Sequence, residues 1–285
     1  MSTEEPTRPS HPQTFYERGV TPFFACAADP RFSYTLFIPE RDEGERLPLL
    51  VIAHDTLRTP ERYRDAFARF ASQNRVAILA PLFPAGMGMP WDLHAYKAID
   101  AFGVRYDEVL LSMLDEASDR FALDIDRFLL FGFSGGAQFT QRFLLLHPDR
   151  LIACSIAAPG AITLLDSESA WWVGIGDLEE KFGRPLQRDA LRSVDVQTVV
   201  GLDDVETWEL EGDVFTEHPL WMPGAARAGK TRVDRARTLA AMLKDEGVSV
   251  THVEVPGVAH EPTGLVPTVQ EYLSRALAAH RGSAL

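Results

Sequence analysis

The chain is 285 residues long, with 46% hydrophobic and 24% charged residues, which is the composition of an ordinary soluble globular protein. This length suits one α/β domain or two small domains. The formal net charge of −13 would repel a polyanion, so a nucleic-acid partner is not expected.

The two cysteines, Cys26 and Cys154, have no metal-binding spacing. With no ligand set or nucleotide loop in view, the sequence predicts no metal and no other cofactor, and two buried free thiols in a reducing compartment. Residues 1–14 are polar and rich in proline, without the apolar core of a signal peptide, and are predicted to be a flexible lead-in. Since no apolar run approaches the roughly 18 residues of a membrane span, we expect a cytoplasmic protein without a membrane partner.

The sequence pattern of the first third of the chain predicts several strands and the start of one helix. Residues of high β propensity alternate with polar ones over Phe15–Ala28 and Phe32–Pro39, which indicates an antiparallel pair at the edge of a sheet. Leu47–Ala53 is nearly all apolar, as in a strand that is buried on both faces. Thr59 can cap a following helix, and Pro60 suits its first position.

Strands and helices then alternate to the end of the chain, which predicts one α/β domain with a mostly parallel central sheet and helices on both faces. Two long stretches, 84–106 and 205–231, are predicted mainly as loops rich in aromatic residues. The remaining predicted strands are Arg75–Leu82, Phe128–Phe131, Leu151–Ala158, Val194–Val200 and Val248–Val255. The remaining predicted helices are Val104–Phe121, Ala137–Leu146, Val233–Leu243 and Leu265–His280.

The segment Gly132–Gly136 reads G-F-S-G-G, a G-x-S-x-G pattern between a predicted strand and a predicted helix. A serine on such a sharp turn is held in strained backbone geometry, and a Cβ on the flanking glycines would collide with the neighbouring strand or helix. The free N–H groups of the helix N-terminus favour a developing negative charge. This context predicts that Ser134 is a nucleophile; the alternative is a small residue in a tight turn.

Polar residues follow the other predicted strands at the carboxyl ends, where functional groups gather in open parallel sheets. A serine hydroxyl needs a base such as histidine, and the imidazole needs a carboxylate to fix its tautomer. His260 follows the last strand and can be that base, or else a surface histidine. Asp203 and Asp204 both follow an earlier strand, and Asp166 is a more remote candidate for the acid.

The chain also carries a Gly-x-x-Asp turn over Gly201–Asp204 and a Pro-Gly-x-x-His loop over Pro256–His260. With the G-x-S-x-G turn, these motifs follow the order of nucleophile, acid and histidine that α/β-hydrolases show. From about Phe15 to its end, the sequence resembles serine esterases of that superfamily. The resemblance is to compact carboxylesterases and to dienelactone-hydrolase or polyhydroxybutyrate-depolymerase-like relatives.

The resemblance implies a single α/β-hydrolase domain over 15–285, with antiparallel strands at the amino-terminal edge of the sheet and no large separate cap. It implies Ser134 as the nucleophile, His260 as the general base and acid, and Asp204 as the orienting acid. The Gly-x-x-Asp spacing favours Asp204 over Asp203.

The oxyanion hole implied by the resemblance uses the backbone N–H groups of Gly135 and Thr56. The sequence departs from the family's His-Gly-x pattern here, because Asp55 occupies the usual glycine position. A carboxylate at this place is compatible with catalysis if it points away or is neutralised, for which Arg58 and Arg62 are nearby candidates.

The sequence therefore predicts a serine hydrolase that cleaves small-molecule carboxylic esters through an acyl-enzyme, as a monomer or homodimer. Amide, thioester or lactone hydrolysis by the same residues is an alternative, and so is a catalytically silent binding protein. The aromatic residues of 84–106 and 205–231 suggest an apolar acyl or alcohol pocket; the alternative is that they pack the loops onto the core. Candidate pocket residues are His54, assigned mainly a structural role, Asp55, Trp91, Tyr96, Trp208 and Trp221.

Overall fold

A computed structural model describes residues 17–207, 210 and 217–283. Nine of its strands form one sheet and two form a separate hairpin. The strands are β1 Gly19–Val20, β2 Phe24–Ala25, β3 Ser33–Ile38, β4 Leu47–Ala53, β5 Ala77–Leu82, β6 Asp100–Ala101, β7 Val104–Arg105, β8 Leu123–Phe133, β9 Leu151–Ala157, β10 Asp195–Gly201 and β11 Ser249–Val255.

The helices alternate with the strands of the large sheet, as the sequence pattern predicts. Their bounds are α1 Pro60–Asn74, α2 Tyr106–Phe121, α3 Gly135–Leu146, α4 Leu178–Phe182, α5 Arg188–Arg192, α6 Arg232–Asp245 and α7 Val266–Ser283, with 3₁₀ turns at Ala95–Ala98 and Pro148–Arg150.

The large sheet has the order β1-β3-β5-β4-β8-β9-β10-β11, and β2 also pairs with β3. All neighbours from β5 to β11 are parallel, whereas β1, β2 and β5 pair antiparallel with β3. The predicted α/β class, with a mostly parallel sheet and an antiparallel amino-terminal edge, is confirmed. The predicted extended stretch Phe15–Ala28 contains two short strands, and its first two residues lie outside the described part of the chain.

An apolar layer covers each face of the sheet, because alternate residues of the buried strands point to opposite sides. In β4, Leu49 and Val51 join the layer that contains α2 and α3, while Leu50 and Ile52 join the layer that contains α1 and α7. The predicted arrangement of helices on both faces is therefore confirmed. The carboxyl ends of the parallel strands are left at one edge, where the candidate site lies.

Two local features differ from the sequence prediction. Thr59 is the residue before α1, but its side chain makes no capping hydrogen bond, and its buried hydroxyl has no partner in the described part of the chain. The start of α1 instead relies on Pro60, whose fixed φ suits the first helical position. The stretch 84–106 is not wholly a loop, since it contains the 3₁₀ turn Ala95–Ala98 and the β6–β7 hairpin.

The two cysteines are buried free thiols, as predicted, and burial raises the pKa of each. Among the described residues, no helix is long and apolar enough to cross a membrane. Nor do three or more His, Cys, Asp or Glu side chains within the described ranges come together in a way that could hold a metal ion.

Candidate active site

The turn that carries Ser134 lies between β8 and α3 and holds the serine at φ 55° and ψ −111°. A positive φ is rare for a residue with a side chain and is a recognised form of strain at functional sites. A Cβ on Gly132 would lie 2.1 Å from the carbonyl oxygen of Gly136. A Cβ on Gly136 would lie 2.2 Å from the carbonyl oxygen of Ala53. Only glycine fits at either position, so these two glycines permit the sharp turn.

The loops after β10 and β11 are pressed against each other, which places an aspartate beside a histidine. The backbone N–H of Asp203 donates to the carbonyl of Val258 at 3.0 Å. A Cβ on Gly201 would lie only 2.2 Å from that same carbonyl oxygen. The glycine therefore allows the loop that bears Asp204 to contact the loop that bears His260.

The imidazole of His260 joins the serine to this aspartate. Its Nε2 lies 3.0 Å from Ser134 Oγ, and its Nδ1 lies 2.6 Å from Asp204 Oδ2. Because a carboxylate can only accept, Nδ1 carries the proton that it donates to Asp204, and Nε2 is free to accept from the serine hydroxyl. The ring also stacks on Phe133, with centroids 4.8 Å apart, which fixes its plane.

The other two acid candidates lie elsewhere. Asp203 is exposed to solvent, one residue before the aspartate that contacts His260. Asp166 accepts hydrogen bonds from Ser169 and Arg227. Only Asp204 meets the imidazole among these three carboxylates.

Asp204 also pairs with a buried arginine, Arg232, whose Nη1 lies 3.0 Å from Asp204 Oδ1; their side chains are 3% and 0% exposed. Burial by itself would raise the pKa of the Asp204 carboxyl. The hydrogen bond and charge of His260, together with the charge and hydrogen bond of Arg232, hold that pKa below its usual value. The carboxylate is thus ionised at neutral pH although it is fully buried.

The residues predicted for the oxyanion hole lie beside each other. Gly135 is the first residue of α3, so the helix itself does not use its backbone N–H. A Cβ on Gly135 would lie 3.0 Å from Thr56 Oγ1 and 2.3 Å from Tyr96 Oη. The turn after β4 therefore closes against the N-terminus of α3, with the Tyr96 hydroxyl packed between them.

Asp55 is turned away from this closure, toward α1. Its Oδ2 accepts from the Tyr63 hydroxyl and its Oδ1 from the backbone N–H of Leu57, both at 2.8 Å, and the residue is 8% exposed. The predicted ion pairs of Asp55 are wrong: in the described part of the chain, neither Arg58 nor Arg62 pairs with it. Arg58 instead donates to the backbone carbonyls of Thr56 and Phe83.

His54 is fully buried, and both nitrogens of its imidazole contact backbone groups. Its Nδ1 lies 2.7 Å from the carbonyl of Asp55, and its Nε2 accepts from the backbone N–H of Phe83 at 3.0 Å. Burial lowers the pKa of this imidazole to about 3, so the ring is neutral and links the end of β4 to the end of β5.

A narrow cleft of about 20 Å³, little more than the room of one water molecule, begins one helical turn beyond Ser134. Residues of the stretches 84–106 and 205–231 contribute to its walls, and so do α3 and Trp172. The lining residues are His94, Lys97, Ala98, Gln138, Arg142, Trp172 and Leu220. A larger surface depression around Leu165 and Met242 contains none of the residues described above.

The aromatic residues predicted to line the pocket differ in their exposure and in their contacts. Trp91 is 93% exposed and cannot wall an enclosed site, because its ring projects into solvent. Tyr96 is buried beside Gly135 and donates its hydroxyl to the carbonyl of His54 at 3.1 Å. Trp221 is half-buried beside Leu220 and does not itself line the cleft. Trp208 lies outside the described residues.

The cleft wall includes polar residues as well as apolar ones, because Lys97, Arg142 and Gln138 contribute to it. Sequence reasoning missed these three residues and Arg232. For two of these residues, the spacing in the sequence could have indicated their position. Gln138 and Arg142 follow Ser134 at spacings of four residues, which places all three on one side of a helix.

Comparison with known proteins gives the fold. No protein-family model matches the chain, and no curated protein matches its sequence. Among solved structures it resembles poly(aspartic acid) hydrolase-1 from Sphingomonas sp. KT-1, with 20% identity over 84% of this chain and 92% of that one, and a TM-score of 0.66. It equally resembles the poly(3-hydroxybutyrate) depolymerase LpqC from Bordetella parapertussis, with 22% identity over 85% of each chain and a TM-score of 0.66.

An S-formylglutathione hydrolase from Agrobacterium tumefaciens is also similar, at 16% identity over 87% of this chain and 89% of that one, with a TM-score of 0.58. Identities this low show shared architecture and leave the chemistry to be argued from the residues. The chain has the α/β-hydrolase fold that its sequence motifs resemble.

Proposed function

We propose that this α/β-hydrolase-fold protein is a serine hydrolase that cleaves carboxylic esters through an acyl-enzyme. The observation that carries the proposal is the single imidazole of His260 in contact with both Ser134 Oγ and Asp204 Oδ2. Its fold neighbours are named as hydrolases, among them the depolymerase and the S-formylglutathione hydrolase, which supports the same reaction class. The proposed α/β-hydrolase domain spans 15–285, and 84–106 and 205–231 supply pocket walls.

In the first half-reaction, His260 Nε2 takes the proton of the Ser134 hydroxyl as Oγ forms a bond to the ester carbonyl carbon. The negative charge that develops on the carbonyl oxygen is stabilised by the backbone N–H groups of Gly135 and Thr56. The imidazolium then gives its proton to the leaving alkoxide as the C–O bond breaks. Water repeats these steps on the acyl-enzyme, releasing the acid and restoring the serine.

Asp204 keeps the His260 proton on Nδ1 and stabilises the imidazolium as it forms. Its own ionisation is secured by the lowered pKa described above. Asp55 does not weigh against catalysis, because its carboxylate is engaged by Tyr63 and Leu57. That engagement supports catalysis over the alternative of a silent binding protein.

A fluorophosphonate probe tests the nucleophile directly. We expect folded protein to be labelled at Ser134 and to hydrolyse short p-nitrophenyl esters, with the rate falling by at least about 10⁴-fold in Ser134→Ala. Ser193→Ala is a matched control, because Ser193 is exposed and bonded only locally to Ala190. No label on Ser134 in folded protein, or an unchanged rate in Ser134→Ala, would contradict the proposal.

A panel of substrates separates esters from the other groups that the same residues can cleave. We expect kcat/KM for an ester to exceed that for the amide of the same acyl group by at least about 10²-fold. A thioester and a lactone of similar size complete the panel. A faster amide, thioester or lactone would reassign the substrate while leaving the acyl-enzyme intact.

A further inference from the structure

Arg142 is a buried guanidinium in the wall of the cleft that begins one helical turn beyond the proposed nucleophile. The residue is 1% exposed. Its Nε donates to Thr163 Oγ1 at 2.9 Å, its Nη1 donates to the carbonyl of Lys97, and its carbon centre lies 4.7 Å from the Trp172 ring centroid. Its Nη2 is buried and has no hydrogen-bond partner among the described residues. The two N–H groups of this nitrogen are therefore left unused within the described protein.

An unused charged donor in the interior is costly unless something binds it. Burial lowers the pKa of Arg142 to about 9, so the guanidinium still carries its charge at neutral pH. Within the described ranges, no carboxylate forms an ion pair with it. Its two existing hydrogen bonds go to a hydroxyl and a carbonyl, which hold the group in place without neutralising it.

Arg142 lies on the same side of α3 as the proposed nucleophile, Ser134. Ser134 precedes α3, and Gln138, whose backbone N–H donates to the Ser134 carbonyl at 3.2 Å, lies one turn further along. Arg142 lies one more turn away, so the three side chains share one side of the helix. At about 1.5 Å per residue, the α-carbons of Ser134 and Arg142 are roughly 12 Å apart. A substrate of modest length can span that distance.

The other groups around the cleft favour an anion. Lys97 is 4% exposed and lines the cleft, and its Cε lies 2.9 Å from the place that a Cβ on Gly135 would occupy. The side-chain amide of Gln138 can donate to an oxygen in the cleft. The His94 imidazole adds no fixed charge, because burial lowers its pKa to about 3. The free space of about 20 Å³ suits a compact group such as a carboxylate and excludes a long acyl chain.

We infer that the cleft is a carboxylate subsite and that the substrate is an ester bearing a carboxylate several bonds from the scissile carbonyl. Arg142 Nη2 donates to that carboxylate, Gln138 and Lys97 assist, and Trp172 holds the plane of the guanidinium. Arginine is suited to this role because its fork is rigid and weakly hydrated. The inference deepens the proposed serine-hydrolase function and rests on it.

Paired substrates test the subsite in the intact protein. Mono-p-nitrophenyl esters of glutaric and adipic acid carry a carboxylate on the acyl side, and their methyl-capped forms are the neutral partners. Acetate esters of hydroxyphenylacetic acid and of its methyl ester place the same pair on the alcohol side. We expect wild-type kcat/KM to favour the charged member of at least one pair by roughly 10- to 100-fold. A ratio near one or below in every pair would overturn the inference.

The variant Arg142→Met tests whether the preference for the charged substrate depends on the guanidinium. The charged-to-neutral ratio of kcat/KM should fall by roughly 10- to 100-fold, mostly through KM. Arg237→Met is the control, because Arg237 is an exposed arginine that pairs with Glu254, and its ratio should equal that of wild type. A preference that survives in folded Arg142→Met would assign Arg142 a purely structural role.

A third measurement remains decisive if Arg142→Met does not fold. Glutarate should inhibit wild-type hydrolysis of a neutral ester competitively, and glutarate dimethyl ester should not; equal inhibition by both would overturn the subsite. Failure of the subsite is distinguishable from failure of the proposed function. In the first case fluorophosphonate still labels Ser134 and neutral esters are still cleaved, and in the second neither occurs.

Discussion

Two arginines lie buried near the candidate active site and differ in the charge that faces them. Arg232 donates to the buried carboxylate of Asp204 at 3.0 Å. Arg142 donates to Thr163 and to the carbonyl of Lys97, and within the described ranges no carboxylate pairs with it. A buried cation is stable where an anion compensates it. The first arginine has that anion in its own chain, and the inferred subsite supplies it to the second from the substrate.

The two arginines therefore have different roles. A charge that is compensated inside the protein fixes the position and ionisation of the machinery that acts on every substrate. A charge that is left for the ligand discriminates between substrates and need not affect the chemical step. Substitutions at the two arginines and at their partners should therefore give different signatures in kcat, in substrate preference and in stability.

The largest effect should come from Asp204→Asn, which removes the anion shared by His260 and Arg232. The amide no longer holds the imidazole in the right tautomer, and kcat should fall by about 10³- to 10⁴-fold with little change in KM. Asp203→Asn, at the neighbouring exposed position, should keep nearly all the activity. Steady-state kinetics of both variants measure these changes in kcat. A larger loss in Asp203→Asn would assign the role of orienting acid to Asp203.

Arg232→Met should mainly reduce stability, because it leaves Asp204 buried with one of its two charged partners missing. The free energy of unfolding should fall by about 3–5 kcal/mol, the usual effect of breaking a buried ion pair from one side. The control is Arg237→Met on the same helix, which removes an exposed ion pair and should cost at most about 1 kcal/mol. Urea unfolding at pH 7 measures both, and equal losses would show that the Arg232 pair has no special weight.

The same variant should shift the pH dependence in a defined direction. In wild type the pKa of Asp204 lies below its usual value, so its contribution to stability is present above the unfolded pKa of about 3.9 and is lost as pH falls through the lower folded pKa. Without Arg232 one lowering contact is gone and burial still raises the pKa. The acid-side losses of stability and of kcat/KM should therefore begin at higher pH in Arg232→Met, and coincident profiles would contradict this.

Local patterns in the sequence were sufficient for the frame of the molecule and for the Ser134 turn. The apolar run Leu47–Ala53 gave a strand with the same bounds, because a strand buried on both faces needs apolar residues throughout. The glycines of the turn could be interpreted from steric reasoning, since their Cβ positions are filled by Gly136 O and Ala53 O. The choice between Asp203 and Asp204 depended on the resemblance, because both residues follow the same strand.

The cleft was beyond such reasoning, because it is made by residues far apart in the sequence. The spacing of Ser134, Gln138 and Arg142 predicts a shared side of the helix, but it does not tell which segment covers that side. Composition misled at Trp91, since an aromatic ring in a loop can equally face solvent. The orientation of Asp55 toward α1 depends on Tyr63, whose hydroxyl meets the carboxylate only in the folded chain.

Tyr63→Phe should have a smaller effect than either substitution of the Asp204 pair. It removes a buried hydrogen bond to a charged group and should cost about 1.5–3 kcal/mol of unfolding free energy. It should also lower kcat a few-fold, because the loosened Asp55 carboxylate adjoins the predicted oxyanion residue Thr56. Tyr34→Phe is matched, since Tyr34 donates to Glu116 away from the site, and its kcat should not change. Unaltered kcat in Tyr63→Phe would show that the orientation of Asp55 does not matter for catalysis.

The smallest stability effect should come from Arg142→Met, although its volume change is the same as that of Arg232→Met. The variant loses two hydrogen bonds to neutral oxygens, but it also removes a buried charge that has no carboxylate partner within the described ranges. These changes oppose each other, so the unfolding free energy should stay within about 1 kcal/mol of wild type. A loss as large as that of Arg232→Met would mean that the protein itself compensates Arg142, and the carboxylate subsite would lose its physical basis.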